Sequence, residues 1–554
     1  MALGMCNRTE ETPRSPDAPP PLPTGEVPAA MGRRSRRRAS SGKLRTRAAV
    51  GLATFLVAGL AAGCSSDETD ETAEADEPIT GPVEVPTPPA DGPKLVALEP
   101  EVLVRDRPAL DGVVLGTLYL GARVARAEKP YTTRGCNGGW YAIRPRGFVC
   151  AGEAATIDEN HPVVSLAGAG PDLDSALPYR YARVWAEAAV TYGDLPSHEE
   201  QLEAEPKLAK LKTPKSERIG AGAVDVPLDE SGLPAGLPVV RPDAPGVGED
   251  GYRTSSQWLA GSPQSVEEGF SVTAGKETRV VKRRSSMALV ASTNGERPMA
   301  LSATGRFVPL DRLEPVLGST FHGKLLQKLD DLPVAFAIRA GVDGYELGKN
   351  ASVERTDDEY AARERIDLTG RFRTVNKQRY WFTKSGHWVR HKDLIVVLNR
   401  TKFPDFASGD QKWIDISLAN QTLVAWEGRK PILATLISSG RDRLGDPNEG
   451  PSTLQGVFHL RDKAVVRDVD GKEVNLKYEL FDAPWVMSFA DGFALTGCTW
   501  HSRFGEALSH HDVALSPVDA HFIWKWSGPS VPEGWNSVKL PHESEDGTIV
   551  YVHK

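Results

Sequence analysis

Basic clusters, long apolar runs and cysteines are all scarce in this chain, and each scarcity narrows what it can be. Lysine and arginine total 66 against 74 aspartates and glutamates, and no basic block stands outside the N-terminal segment. That balance argues against a nucleic-acid partner, whose phosphates call for a concentrated cationic face. A single long apolar stretch, AAVGLATFLVAGLAAG from Ala48 to Gly63, follows the cationic run RRSRRRASSGKLRTR. Its length, basic flank and small-residue end read as a secretory signal and not as a spanning helix. Only five cysteines occur in 554 residues. Cys6 and Cys64 belong to the leader. Cys136 and Cys150, in GCNGGWYAIRPRGFVC, are expected to form a disulfide, because an exported chain meets an oxidising compartment. Cys498 is left alone.

What is present begins with the leader. Cys64 follows the apolar run directly in AGLAAGCSS. This resembles the lipobox of bacterial lipoproteins, in which the thiol is diacylated and the chain is cut just before it. Ala62 and Gly63 fit that pattern, and Ala61 departs from it, since leucine is commoner there. An ordinary soluble signal peptide with a chance cysteine is the alternative. Residues 1–30 precede a second start, Met31, and are expected to lie upstream of the true start codon. After Cys64 come seven acids without a base in SSDETDETAEADE, then a proline-rich run to residue 93. Such a segment cannot bury a core and reads as a solvated tether. Ser65 after the lipid-bearing cysteine resembles an outer-membrane sorting signal. The expectation is a periplasmic, membrane-anchored protein.

A chain of this length should hold roughly three to five domains. One pattern recurs three times: WYAIRPRGFVCAGE (Trp140 to Glu153), MALSATGRFVPLDRL (Met299 to Leu313) and YWFTKSGHWVRHKDL (Tyr380 to Leu394). Each has an alternating apolar strand, a glycine turn and an aromatic-valine strand, the signature of a hairpin. With the short strands of VLVRDRPALDGVVLGTLYLGARV ahead of the first copy, the pattern resembles the bacterial SH3-like barrel. The resemblance implies such units at 94–157, at 175–316 with a charged insertion at 197–250, and at 325–400. Within the insertion, EEQLEAEPKLAKLK is helical by composition. The aromatic side chains of these hairpins stack on sugar or peptide in one reading and simply fill small cores in the other.

From Lys412 the text changes. KWIDISLANQTLVAWEGRKPILATLISSG reads as alternating strands with an Asn-Gln turn, followed by GVFHLRDK, PWVMSFADGFALTGCTWHSRFG and SHHDVALSPVDAHFIWKW. Residues 410–540 thereby resemble the catalytic domain of the L,D-transpeptidase (YkuD-type) family. The family pattern is A-L-H-G-T-x-W-H, then S-H-G-C-V-N-L-S-P-x-D-A. The resemblance implies a cysteine that attacks a peptidoglycan stem tetrapeptide, releases the terminal D-alanine and passes the acyl group to an amine. An amide is a poor electrophile, so this chemistry needs a thiolate, an imidazole to activate it and amide donors for the oxyanion.

Trp500, His501, Phe504, Gly505, Ser509 and His510 match upstream, and Val513, Leu515, Ser516, Pro517, Asp519 and Ala520 match downstream. Between these fixed points the family glycine is His511, its cysteine is Asp512 and its asparagine is Ala514, and just ahead of them its upstream histidine is Thr496. A carboxylate cannot easily replace a thiolate against an amide, and its charge opposes a neighbouring oxyanion. Ser509 and His510 are the remaining family-equivalent catalytic residues. Three readings follow. The site is degenerate, with His510 satisfied by Asp512 or Ser509; or Cys498, two residues after Thr496, acts as a relocated nucleophile with His510; or His501, His510, His511, Asp512 and His521 supply a metal site. The metal reading is weakened because His510 and His511, adjacent on a strand, would point to opposite faces. The overall expectation is a mainly β, multidomain protein of SH3-like barrels and a transpeptidase-like β domain. Its one clear helix starts at SPVDAHFIWKW. No cofactor or metal is expected. The expected partners are peptidoglycan stem peptides or cell-wall proteins, with the membrane reached through lipid on Cys64.

Overall fold

The computed structural model describes residues 81–206 and 270–554, apart from interruptions at 82, 168–169, 186–187, 271, 273–276, 294–296 and 470–479. The leader, Cys64, most of the acidic tether and most of the 197–250 insertion lie outside the described residues. Contacts group the residues from Glu77 to Lys554 as one unit. The described architecture is mainly β, with three α-helices. Among the described residues no helix is long and apolar enough to cross a membrane.

All three hairpins form. Trp140–Ala142 pairs with Phe148–Cys150, Met299–Ser302 with Phe307–Pro309, and Gln378–Thr383 with Trp388–Arg390, each antiparallel. Gly147, Gly305 and Gly386 sit in their turns at φ 90°, 75° and 102°, a region open to glycine at little cost. Cys136 and Cys150 are joined as a disulfide beside the first hairpin. At the start of the insertion, Ser197 and Glu200 form a capping box that opens the helix His198–Ala204.

The C-terminal region is built on a sheet in which Lys412–Ser417 pairs antiparallel with Thr422–Glu427, and that strand with Lys430–Leu436. Ile549–His553 runs parallel on the other side of Lys412–Ser417. Gln421 closes the Asn-Gln turn at φ 55°. Alternation assigns Ile414, Ile416, Leu423 and Ala425 to one face, where they share a core with Trp485, Leu495, Ile523 and Trp524. The opposite face is also buried. Trp413, Val424, Trp426 and Ala434 pack with Val334, Phe336 and Val397 from the preceding unit. The helix Pro517–Trp526 has Ser516 as N-cap, its hydroxyl accepting from Asp519 N at 3.1 Å, and proline in its first turn.

The units do not stand apart. A 14-stranded sheet joins the Ser286–Ser292 region, through Leu480–Ala490, Asp462–Val469 and Trp535–Lys539, to Val114–Leu118 and the first hairpin. Trp535 completes the core around Leu95, Val104 and Val149. At the other junction Tyr181 donates to Asp482 O at 2.6 Å, and Trp485 Nε1 donates to Ala176 O at 2.6 Å.

Candidate functional site

The strand Phe493–Gly497 lies parallel to Val513–Leu515, with Leu495 opposite Val513 and Thr496 opposite Ala514. Two positions where the family pattern carries histidine and asparagine are thus cross-strand neighbours. Ala514 is fixed from its other side by Ser438, which exchanges both backbone hydrogen bonds with it at 2.8 and 2.9 Å. Ser509 is buried and pinned likewise: its N–H donates to Ser439 O at 3.0 Å and its carbonyl accepts from Arg441 N at 2.9 Å. The residues 510–512 therefore form a short bend between two anchored points. Thr453 supports the bend by donating its hydroxyl to His511 O at 2.9 Å.

Within the bend, Asp512 Oδ1 accepts the Ala494 backbone N–H at 3.1 Å. Desolvation pushes its carboxyl up to about 7, opposed by that one N–H. Desolvation, then the charges of His511 and Arg441, push His510 down to about 4. The two groups do not form the pair expected for a collapsed site. Among the described residues the ring nitrogens of His510 make no hydrogen bond to Asp512 or Ser509. The ring packs instead on His511, with centroids 4.4 Å apart, and His511 stacks on Phe493 at 5.4 Å. Ala494 is the second residue of the strand Phe493–Gly497, so the carboxylate satisfies a backbone N–H near the start of that strand. His510 and His511 do not alternate across a strand as expected, because residues 510–512 are a bend and not a strand.

Cys498 does not have the surroundings of a relocated nucleophile. It is fully buried in the core with Phe336, Leu436 and Phe504, and its thiol donates to His501 O at 3.4 Å. Burial pushes the thiol up to about 12, so the thiolate needed for attack is not formed near neutral pH. Thr496 is also fully buried, and its hydroxyl has no hydrogen-bond partner.

The five candidate metal ligands do not converge on one point. His501 is turned inward, with Nδ1 accepting from Arg503 N at 3.2 Å and Nε2 buried without a partner; desolvation, then Arg503 and Arg363, push it down to about 4. His521 Nε2 lies 2.9 Å from Leu173 O, and its ring packs on Trp485 at 4.8 Å. Among the described residues no group of three or more histidine, cysteine, aspartate or glutamate side chains could hold a metal ion.

Several residues that shape the site carry no local sequence signal. Gln421 brackets Ser439, accepting from its N–H at 2.9 Å and donating to its hydroxyl at 2.6 Å. The Ser438 hydroxyl donates to Glu506 O at 2.6 Å and accepts from Leu508 N at 3.1 Å. From the preceding unit Arg363 donates to Phe504 O and to Glu506 Oε1, each at 2.9 Å. These contacts span long sequence separations, so only the assembled fold discloses them.

No protein-family model matches the sequence, and no curated protein matches it. Among solved structures, the chain is similar to an L,D-transpeptidase variant from Enterococcus faecium at 20% identity, covering 26% of this chain and 50% of that one, with a TM-score of 0.20. An L,D-transpeptidase from Stackebrandtia nassauensis matches at 20% identity, over 28% of this chain and 62% of that one, with a TM-score of 0.20. The catalytic domain of an Enterococcus faecium L,D-transpeptidase matches at 20% identity, over 26% of this chain and 98% of that domain, with a TM-score of 0.20. The chain spans 50% and 62% of the length of the first two.

Proposed function

We propose that this chain is an exported, peptidoglycan-associated lipoprotein whose C-terminal domain keeps the frame of an L,D-transpeptidase without its acyl-transfer chemistry. Its role is to bind wall peptides or wall proteins. Lipid on Cys64 and the acidic tether hold it to the membrane, and SH3-like units lie between tether and C-terminal domain. The observation that carries the reading is the state of residue 512. Where the family pattern places its nucleophile, a desolvated carboxyl is committed to the Ala494 N–H. Attack on an amide needs a nucleophile whose proton a base has just removed, beside donors for the oxyanion. Burial pushes His510 down to about 4, too weak a base to draw the proton from a thiol near neutral pH, and the free thiol at Cys498 is sealed in the core. A carboxylate at 512 would also repel the oxyanion it would have to create.

The test is reaction of the full chain with a carbapenem and with tetrapeptide muropeptides, read by intact-protein mass spectrometry. The natural protein is expected to stay unmodified, and the double variant Asp512→Cys, Thr496→His to gain an acyl adduct. An adduct on the natural protein would overturn the reading.

A further inference from the structure

The strand Leu480–Ala490 carries two residues in the left-handed region, Asp482 at φ 53° and Trp485 at φ 55°, and neither is a glycine. Such backbone is sparsely populated and persists only where the surroundings hold it. Here the surroundings are a junction. Asp482 is fully buried where this strand meets the paired strands Arg180–Val184 and Ser286–Ser292. The two sides share one ladder position, Ser286 opposite Leu480, so the rest of the seam falls to side chains. Two oxygens of Asp482 are bonded across it. Oδ2 accepts from Ala288 N at 3.1 Å, and the carbonyl accepts from the Tyr181 hydroxyl at 2.6 Å. On its own side of the seam, Asp482 N donates to Asp468 Oδ1 at 3.0 Å.

The remaining carboxyl oxygen, Oδ1, is buried without a hydrogen-bond partner, and among the described residues no lysine or arginine pairs with Asp482. The ionisable groups facing it are Asp468, Glu101 and the phenols of Tyr179 and Tyr181, none of them a cation. Arg306 feels the charge of Asp468. An ionised carboxylate in this place has lost its water and gained one N–H, which does not compensate it, whereas the neutral acid leaves at most one hydroxyl unsatisfied. Desolvation, then the charge of Asp468, push Asp482 well above the ordinary carboxylate range, with Glu101 adding and the Ala288 N–H opposing. An asparagine would serve the Ala288 N–H equally well, so what the carboxyl adds is a titration. We propose that Asp482 is a pH-operated latch between these strands and the C-terminal domain: neutral, it lets the seam close; ionised, it draws water in and opens it. The folded value being raised, the latch contributes fully below the unfolded value of about 3.9 and is lost as pH rises through the folded one. The seam is therefore closed in acid and loosened on the alkaline side. Opening reaches the candidate site, because Leu480–Ala490 also pairs with Phe493–Gly497, with Ser488 opposite Ala494, and Ala494 N–H is the donor to Asp512. The latch is independent of the chemistry at residue 512.

The experiment is amide hydrogen exchange of the full chain between about pH 5 and about pH 9, corrected for intrinsic exchange. It uses the natural protein, Asp482→Asn and Asp468→Asn. Expected in the natural protein is a loss of protection at Ala288 and its strand that steepens to about tenfold per pH unit above the folded value, with Lys412–Ser417 unchanged. Asp482→Asn is expected to abolish this pH dependence. Asp468→Asn keeps an oxygen for the Asp482 N–H and removes a charge that holds the proton on, so the loss is expected to begin at lower pH. That arm decides the matter even where Asp482→Asn does not fold. Protection at Ala288 that does not change with pH, or that falls equally in Lys412–Ser417, overturns the latch. So does an onset that stays in place in Asp468→Asn, or a pH dependence that survives Asp482→Asn. None of these results bears on acylation at residue 512, so the latch and the proposed function fail separately.

Discussion

The consequence of replacing a thiol by a carboxyl at residue 512 reaches beyond lost chemistry, because it places a titration inside the fold. An unfolded aspartate titrates near 3.9, whereas Asp512 is held up at about 7 by desolvation. With the folded value raised, the group's contribution to stability is fully present below the unfolded value and is lost as pH rises through the folded one. Asp512→Asn keeps an oxygen for the Ala494 N–H and removes the titration. The variant is therefore expected to melt close to the natural protein at about pH 4 and above it at about pH 8. Taking the difference between the two proteins cancels the other shifted groups, among them His501 and His510 at about 4. A difference in melting temperature that does not change with pH would contradict the assignment. The identity of residue 512 was legible in the sequence by register between Ser509 and Pro517. Its hydrogen bond was not, since Ala494 lies on another strand.

The helix Pro517–Trp526 shows how far local text reaches. Its start is written in consecutive letters, Ser516 as cap and proline in the first turn, whereas the Asp519 carboxylate is taken by Gly323 N–H at 3.1 Å and the Thr435 hydroxyl at 2.5 Å from distant segments. Its end depends on Lys463, from a distant strand. That lysine is buried and donates to Trp524 O at 2.5 Å and to Ser527 O at 2.8 Å, with its charge over the Trp524 ring at 5.0 Å. Burial, then Lys412, lower it to about 7. A cation at a helix C-terminus is favourable, and the last carbonyls need a donor. Lys463→Met keeps much of the volume and strips both carbonyls of this donor, at roughly 1–3 kcal/mol for each buried group left unsatisfied. The expected outcome is a lower melting temperature with faster hydrogen exchange in the last turn of the helix. Full retention of both would show that water or another donor replaces the ammonium. Hairpin existence was equally readable, because alternation and a turn glycine lie within one segment. The double-sided burial of the Lys412–Ser417 strand was not, because the second covering layer comes from Val334, Phe336 and Val397.

Between units, the sequence suggested a string of modules and gave no sign of whether they touch. Touching is enforced by backbone. Gly116 lies opposite Val538 in the register that joins Val114–Leu118 to Trp535–Lys539, and a Cβ there would stand 2.1 Å from Ser537 O. A main-chain oxygen in a sheet cannot yield cheaply, so Gly116→Ala should part the two strands at a cost of about 1–3 kcal/mol or more. Hydrogen exchange is expected to rise at both strands and not in Lys412–Ser417; uniform protection would refute the junction. The second contact bears on the site. Arg363 reaches from the preceding unit to Phe504 O and Glu506, while Gly505 N–H donates to Ile437 O at 2.8 Å and Leu508 N–H to the Ser438 hydroxyl. The segment leading to Ser509 is thus clamped from two sides, and only one clamp belongs to its own domain. Hydrogen bonds from a charged donor contribute about 1.5–3 kcal/mol, so removing this guanidinium should let the segment open locally while the sheet beneath stays closed. In Arg363→Ala, exchange at the Gly505 and Leu508 amides is expected to accelerate by about tenfold or more, with the Thr422–Glu427 amides unchanged. Equal acceleration throughout would mean global destabilisation. No acceleration at Gly505 and Leu508 would mean that the preceding unit does not hold the site.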